Sequence, residues 1–213
     1  MSINFVEKKD RLLYNSGKMN KVDYNVKMKQ IIQENEGKKS ILLHSCCAPC
    51  SSSVLHKISE YFDVTVVYYN PNIYPQDEYE KRKLEQIKLL NIMQIPFLDS
   101  DYNENDFLNA VVGLENEKEG GARCNKCFLI RLDETARLAK QKGFDFFGTT
   151  LTVSPHKNAE IINQIGAALA DKYGIKYLFS DFKKEDGYLN SIKLSKQYNL
   201  YRQDYCGCKF SKN

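Results

Sequence analysis

The chain has 213 residues, 42% hydrophobic and 27% charged, enough apolar material for one domain with its own core, which excludes wholesale disorder. Its net charge of +4 permits a polyanionic partner such as RNA without requiring one. The N-terminus carries no signal-peptide core and no apolar run is long enough to span a bilayer, so a cytoplasmic protein without membrane contact is expected.

Residues 1–38 are polar and lysine-rich. Within them Val22, Tyr24, Val26, Met28, Ile31 and Ile32 form a loose helical stripe that closes near Gly37. This predicts an N-terminal helical extension over 1–38, packed on a main domain over 39–213. Its basic face is either solvated or an RNA contact. Residues 40–45 form a short apolar run that reads as a buried strand. Pro49 suits the first turn of a helix, because its missing N–H would be unpaired there anyway, and that helix is expected to run to about Tyr61. A β-rich strand over 63–69 is broken by Asn70-Pro71-Asn72-Ile73-Tyr74-Pro75. A charged helix over 76–93 follows, then a third strand at 95–98 and a helix over 103–118.

Gly120-Gly121-Ala122-Arg123 reads as a flexible turn delivering Cys124-Asn125-Lys126-Cys127 ahead of another helix. That helix should carry Leu129, Leu132, Ala136 and Ala139 on one face and end at Gly143. A strand over 144–150, a helix over 157–173 and a fifth strand over 175–179 complete the pattern, and the tail from Asp186 is rich in tyrosine and lysine. Alternating strands and helices predict an α/β fold: a single three-layer Rossmann-like domain with a mainly parallel sheet of about five strands and helices on both faces. In such sheets ligands sit beyond the carboxyl ends of the strands. Cys46 and Cys47 lie at such an end, and Thr149, Thr150 and His156 should face the same crevice.

All seven cysteines fall in three clusters: Cys46, Cys47 and Cys50; Cys124 and Cys127; Cys206 and Cys208. Core cysteines would be scattered singly, and a reducing compartment makes a disulfide framework a poor reading, so metal or redox chemistry is indicated. Taken as one set, Cys46, Cys47, Cys124 and Cys127 could close a tetrahedral zinc site or hold an iron–sulfur cluster. Adjacent cysteines in a loop suit the wider spacing of a cluster's irons, which favours [4Fe–4S]; a zinc site serving only folding is the alternative. Cys50, over the first turn of the helix, is either a ligand of a second metal or a packed thiol. Bridging Cys206 and Cys208 across Gly207 would close a small strained ring that reduces easily, as a dithiol oxidised in turnover requires. Two further metal ligands are the alternative there. No glycine follows the first strand, so a phosphate cradle and ATP activation are disfavoured. Of the histidines, His44 has a core or site-supporting role, His56 is structural or exposed, and His156 is the best acid or substrate-binding candidate.

The motifs from Leu42-Leu43-His44-Ser45-Cys46-Cys47-Ala48-Pro49-Cys50 onward resemble the cobalamin-independent epoxyqueuosine reductases, the QueH family. The likeness continues through Tyr69-Asn70-Pro71-Asn72-Ile73, Arg123-Cys124 with Cys127, and Thr149-Thr150-Leu151 with Ser154-Pro155 and Lys157. It ends on Tyr201-Arg202-Gln203 with Tyr205-Cys206-Gly207-Cys208, so it runs from about residue 39 to the C-terminus. The resemblance implies reductive removal of the epoxide oxygen of epoxyqueuosine at the tRNA wobble position, the last step of queuosine synthesis. It implies that Cys46, Cys47, Cys124 and Cys127 hold a [4Fe–4S] cluster, that Cys50 binds a neighbouring mononuclear iron, and that Cys206 and Cys208 form a redox-active disulfide. The implied partners are a tRNA carrying epoxyqueuosine in its anticodon and an electron donor. The target base must leave its stack, and Tyr188, Tyr198, Tyr201, Arg202 and Tyr205 with Lys193 and Lys196 supply rings and charge near the dithiol. His156, Tyr201 and Arg202 are the substrate-binding candidates; tyrosines packing a terminal helix are the plain alternative. The competing readings are a zinc-stabilised RNA-binding module and a general thiol–disulfide oxidoreductase.

Overall fold

The computed structural model describes residues 22–211; the first 21 residues of the extension predicted over 1–38 lie outside the described residues. In chain order the elements are α1 (Tyr24–Glu34), β1 (Lys39–His44), α2 (Ala48–Ile58), β2 (Phe62–Val67), α3 (Gln76–Met93), β3 (Phe97–Leu98) and α4 (Glu104–Ala110). Then come α5 (Ala122–Gln141), β4 (Phe146–Thr149), α6 (Ala159–Tyr173), β5 (Lys176–Tyr177) and α7 (Gly187–Gln197). The five strands form one sheet in the order β3-β2-β1-β4-β5, and every pairing is parallel. The predicted α/β architecture is therefore what the chain adopts.

Successive strand residues point to opposite faces, and this alternation sorts the core. Ile41, Leu43, Val64, Val66 and Phe146 face one layer, where Met28 of α1, Val54, Leu55 and Ile58 of α2 and Leu89 and Leu90 of α3 are buried. Leu42, Val67 and Phe147 face the other layer, against Phe128, Leu132, Ala136 and Ala139 of α5 and Ile162 and Leu169 of α6. Strand order reverses between β1 and β4, so the loops leaving these two strands diverge and leave a crevice at their carboxyl ends.

Several local expectations shift. The stripe on α1 narrows: Met28 is buried in the core, but Val22 and Val26 are exposed. On α5, Leu129 is also exposed while Leu132, Ala136 and Ala139 are buried. The helix predicted over 103–118 stops at Ala110, where Gly113 takes a positive φ of +79°. The following turn is held rather than loose, because the buried Arg123 donates through Nη1 to the carbonyls of Leu114, Glu115 and Glu117. Helix α5 begins at Ala122, so Cys124 and Cys127 sit in its opening turns rather than ahead of it. Finally, the tail contains α7, which packs against α2. Its buried face is Gly187, Ser191 and Ser195. Small residues let two helices approach closely but leave no apolar period to read.

Candidate metal and redox site

The loop after β1 is held from all sides. His44 Nε2 donates to the Tyr69 carbonyl at 3.2 Å, which leaves Nδ1 to accept from the Thr149 hydroxyl at 3.0 Å. Burial holds the His44 pKa down to about 3, so the ring is a neutral bracket between β1, β2 and β4. Beyond it the Ser45 hydroxyl donates to Gln86 Oε1 at 2.6 Å, and the Asn70 amide donates to the Ser45 carbonyl at 2.8 Å. Ser51, in the first turns of α2, bonds the Ser45 hydroxyl and the Cys47 carbonyl. The Cys46 N–H donates to Thr150 Oγ1, just past β4, at 3.4 Å. Gln86 is fully buried in the middle of α3 and carried no sequence signal, since an amide inside a charged helix reads as surface.

The extended backbone at Cys47, with Pro49 in the first turn of α2, brings Cys46, Cys47 and Cys50 together. Their three sulfurs lie within 4.8 Å of one another, and Cys46 and Cys47 Sγ are 3.9 Å apart. A tetrahedral metal with bonds of about 2.3 Å to sulfur sets its ligands about 3.8 Å apart, so the trio fits a metal centre as it stands. Donation from Cys47 and Cys50 holds the Cys46 thiol well below the usual range, with Lys157 assisting. Cys47, as the donor to Cys46, is pushed up to about 12. Of the three sulfurs, Cys46 is thus the one most readily deprotonated for a metal.

Cys124 and Cys127 lie nearby, around a second space. Cys46 and Cys50 line a cavity of about 660 Å³, together with Cys206. Cys124 and Cys127 line an adjoining cavity of about 90 Å³ with Cys206 and Cys208. Cys124 Sγ accepts from the Gly120 N–H at 3.2 Å, and Cys127 packs against Cys208, Phe107 and Val111. The two spaces share Asn72, Glu119, Arg131, His156, Lys157 and Cys206 in their walls. All seven cysteines are free thiols.

The charge of these walls indicates the same occupant. Arg131 is buried, and among the described residues no ion pair involves it or the half-buried Lys157. A buried cation without a counter-charge is costly, and thiolates bound to metal supply that charge. Burial works against the Lys157 ammonium, yet Cys206, Cys46 and Cys50 hold its pKa above the ordinary value. Thiol donors, their spacing and this excess of cations all fit a resident metal centre.

Helix α3 anchors the C-terminal segment, which sequence reasoning did not anticipate. Arg82 pairs with Glu78 at 2.6 Å and donates to the Cys206 carbonyl at 3.1 Å. The Tyr201 N–H donates to Glu85 at 2.9 Å, and its hydroxyl donates to Glu78 at 3.1 Å. Tyr201 therefore fastens the tail to α3 and is absent from both cavity walls. Arg202, Tyr188 and Tyr205 do line the larger cavity, with the Arg202 guanidinium 5.5 Å from the Tyr188 ring centre. His156 is exposed at the junction of the two spaces. Tyr198 lies elsewhere, its hydroxyl bonded to His56 at 2.8 Å.

The profile described as "Epoxyqueuosine reductase QueH" matches residues 41–213. An epoxyqueuosine reductase QueH of Streptococcus pyogenes serotype M1 is 42% identical over 209 residues, covering 94% of this chain and 82% of the relative. One from Thermotoga maritima is 38% identical over 175 residues, covering 81% of this chain and 90% of the relative. Among solved structures, the U34-tRNA thiolase NcsA from Methanococcus maripaludis with its [4Fe-4S] cluster superposes with a TM-score of 0.53 at 12% identity. It covers 88% of this chain and 68% of that one, a likeness of fold alone. The thiol trio at the β1–β4 crevice, the Cys-Gly-Cys tail beside it and these matches together assign the chain to the QueH family of epoxyqueuosine reductases.

Proposed function

We propose that this chain reduces epoxyqueuosine in the tRNA anticodon to queuosine. The supporting observation is a single cavity of about 660 Å³ whose walls include Cys46, Cys50 and Cys206. That volume suits one flipped nucleoside with its cyclopentane. On this reading Cys46, Cys47, Cys124 and Cys127 hold a [4Fe–4S] cluster and Cys50 holds a neighbouring iron. The closeness of Cys50 to Cys46 and Cys47 supports a metal-binding role for it beside them. Such a centre, when bound, passes electrons singly and offers an open coordination position.

The remaining work falls to the chain. Cys206 and Cys208 serve as the dithiol: going to the disulfide releases two electrons and two protons, and the epoxide takes both pairs to leave an alkene and water. An external thiol-class donor then restores the dithiol. Tyr188 and Arg202 at the mouth offer a ring and a cation to the unstacked base and its backbone, and His156 faces the same mouth. The decisive test is anaerobic incubation of iron-loaded protein with epoxyqueuosine-containing tRNA. Loss of one oxygen from the modified nucleoside is expected by mass spectrometry. A colourless protein holding one zinc and leaving the nucleoside intact would instead indicate the RNA-binding module.

Gly207 tests the tail geometry. Its φ is +118°, and a Cβ there would sit 2.7 Å from Arg82 Nη1, which Glu78 and the Cys206 carbonyl hold in place. Gly207→Ala should cost about 1–3 kcal/mol. At about 2–4 °C per kcal/mol in a chain of this size, the melt should fall by several degrees. Turnover should fall at least about tenfold, because Cys206 and Cys208 are displaced.

A further inference from the structure

Besides Arg123 Nε at the smaller cavity and Gln203 Oε1 on a half-buried side chain, three polar atoms on buried side chains of the larger cavity have no partner: Asn72 Oδ1, Arg82 Nη2 and Arg131 Nη2. Each of these three residues is only 2% exposed. Buried polar atoms are almost always satisfied, so an unpaired one beside a cavity marks where a ligand's atom belongs. Arg82 lines only the larger space and is already committed to Glu78. Asn72 and Arg131 line both spaces, at the passage between the Cys46 and Cys50 wall and the Cys124, Cys127 and Cys208 wall.

These two atoms are of opposite kinds. Arg131 Nη2 is a charged donor, and Asn72 Oδ1 is an acceptor. A sulfide or thiolate could accept from Arg131 but could give nothing to Asn72. An oxygen that begins as an acceptor and ends as a hydroxyl or water satisfies both. Arg131 is also aimed by its neighbours: Nε donates to the Cys127 carbonyl at 3.1 Å and Nη1 reaches Asn70 Oδ1 at 3.4 Å. Asn70 in turn donates to the Ser45 carbonyl, so the guanidinium is registered against the loop that carries Cys46 and Cys47.

We propose that Arg131 and Asn72 form the site of the departing oxygen. Arg131 donates to the epoxide oxygen as its C–O bonds break, and Asn72 accepts once that oxygen carries protons. The balance is that of the whole reaction: both C–O bonds of the epoxide break, the carbon–carbon double bond forms, and oxygen leaves as water. The dithiol supplies two electrons and two protons as its S–S bond forms. Arg131 thus acts as a fixed electrophile aimed at developing negative charge. The inference rests on the reductase reading.

The test is single-turnover reduction of epoxyqueuosine-containing tRNA by iron-loaded wild type, Arg131→Ala, Arg131→Lys and Asn72→Leu, with rates expressed per iron. Arg131→Ala should lower the rate by about 10²–10³-fold, the loss typical of one removed donor to a developing oxyanion. It should change KM for tRNA little, and added guanidinium ion should restore part of the rate. Arg131→Lys should keep its iron and visible spectrum yet lose at least about tenfold, since a point charge lacks the forked donors. Asn72→Leu should lose about tenfold through kcat. Wild-type rates in iron-retaining Arg131→Lys and Asn72→Leu overturn the oxygen site, as does a loss in Arg131→Ala that tracks iron and ignores guanidinium. If the iron-loaded wild type itself leaves epoxyqueuosine intact, the reductase reading falls first.

Discussion

Cys206→Ser should end multiple turnover with a thiol reductant, by at least about 10³-fold, while iron content and the visible spectrum stay at wild-type levels. Cys206 lines both cavities, between the cysteine trio and Cys208, so it is the sulfur best placed to exchange with substrate-side chemistry. A serine keeps the shape and most of the packing but cannot form an S–S bond, so both the two-electron store and its protons are lost. The backbone should not move, because Arg82 holds the Cys206 carbonyl and Tyr74 N–H bonds the Gly207 carbonyl at 2.8 Å. Cys208→Ser should match it in rate, with a small stability cost of its own, because Cys208 is packed with Cys127 and Phe107. The measurement is turnover number against iron per chain. Unchanged multiple turnover in Cys206→Ser would sink the dithiol role outright.

Cys46→Ser should act the other way, removing metal and activity together. Cys46 is where the trio's negative charge gathers, with Cys47 and Cys50 donating to it. Removing it takes away the thiol whose pKa the trio holds down and leaves two thiols that burial disfavours as thiolates. Iron and acid-labile sulfide per chain should fall to a small fraction of wild type, and reductase activity below about 1%. Cys50→Ser makes the comparison informative. If Cys50 serves a separate iron, the loss should be about one iron per chain with sulfide unchanged. Equal loss of iron and sulfide in both variants would instead place Cys50 in the cluster's own ligand set. Iron retained at wild-type levels in Cys46→Ser would remove the cysteine trio from the metal site.

The strand–helix alternation, the carboxyl-end location of the site and the three cysteine clusters were legible because each leaves a local trace. Residues 40–45 are apolar and bounded, Pro49 marks a helix start, and seven cysteines in three groups do not arise from core packing. The family likeness rested on these same residues. Less legible were features whose signal lies in a partner far along the chain. Gln86 looks like surface until Ser45 and Ser51 are seen to bond it. Arg131 looks like one more charge on an amphipathic helix until its burial among thiols is visible. Helix α7 escaped notice because serines and a glycine, not an apolar stripe, form its buried face.

By itself, the sequence determined the chemistry available and the fold that presents it: thiols at the end of a parallel strand, with no phosphate cradle. Only the tertiary structure decided which thiols meet. It set Cys50 with Cys46 and Cys47, placed Cys124 and Cys127 beside Cys206 and Cys208, and put Arg131 and Lys157 between the groups. The physical reason is that a periodic pattern fixes each element's own geometry, whereas the grouping of loops depends on how strands order themselves in the sheet. Here β1 and β4 became neighbours across a long stretch of chain, and their pairing brought the Cys46 loop against Thr150.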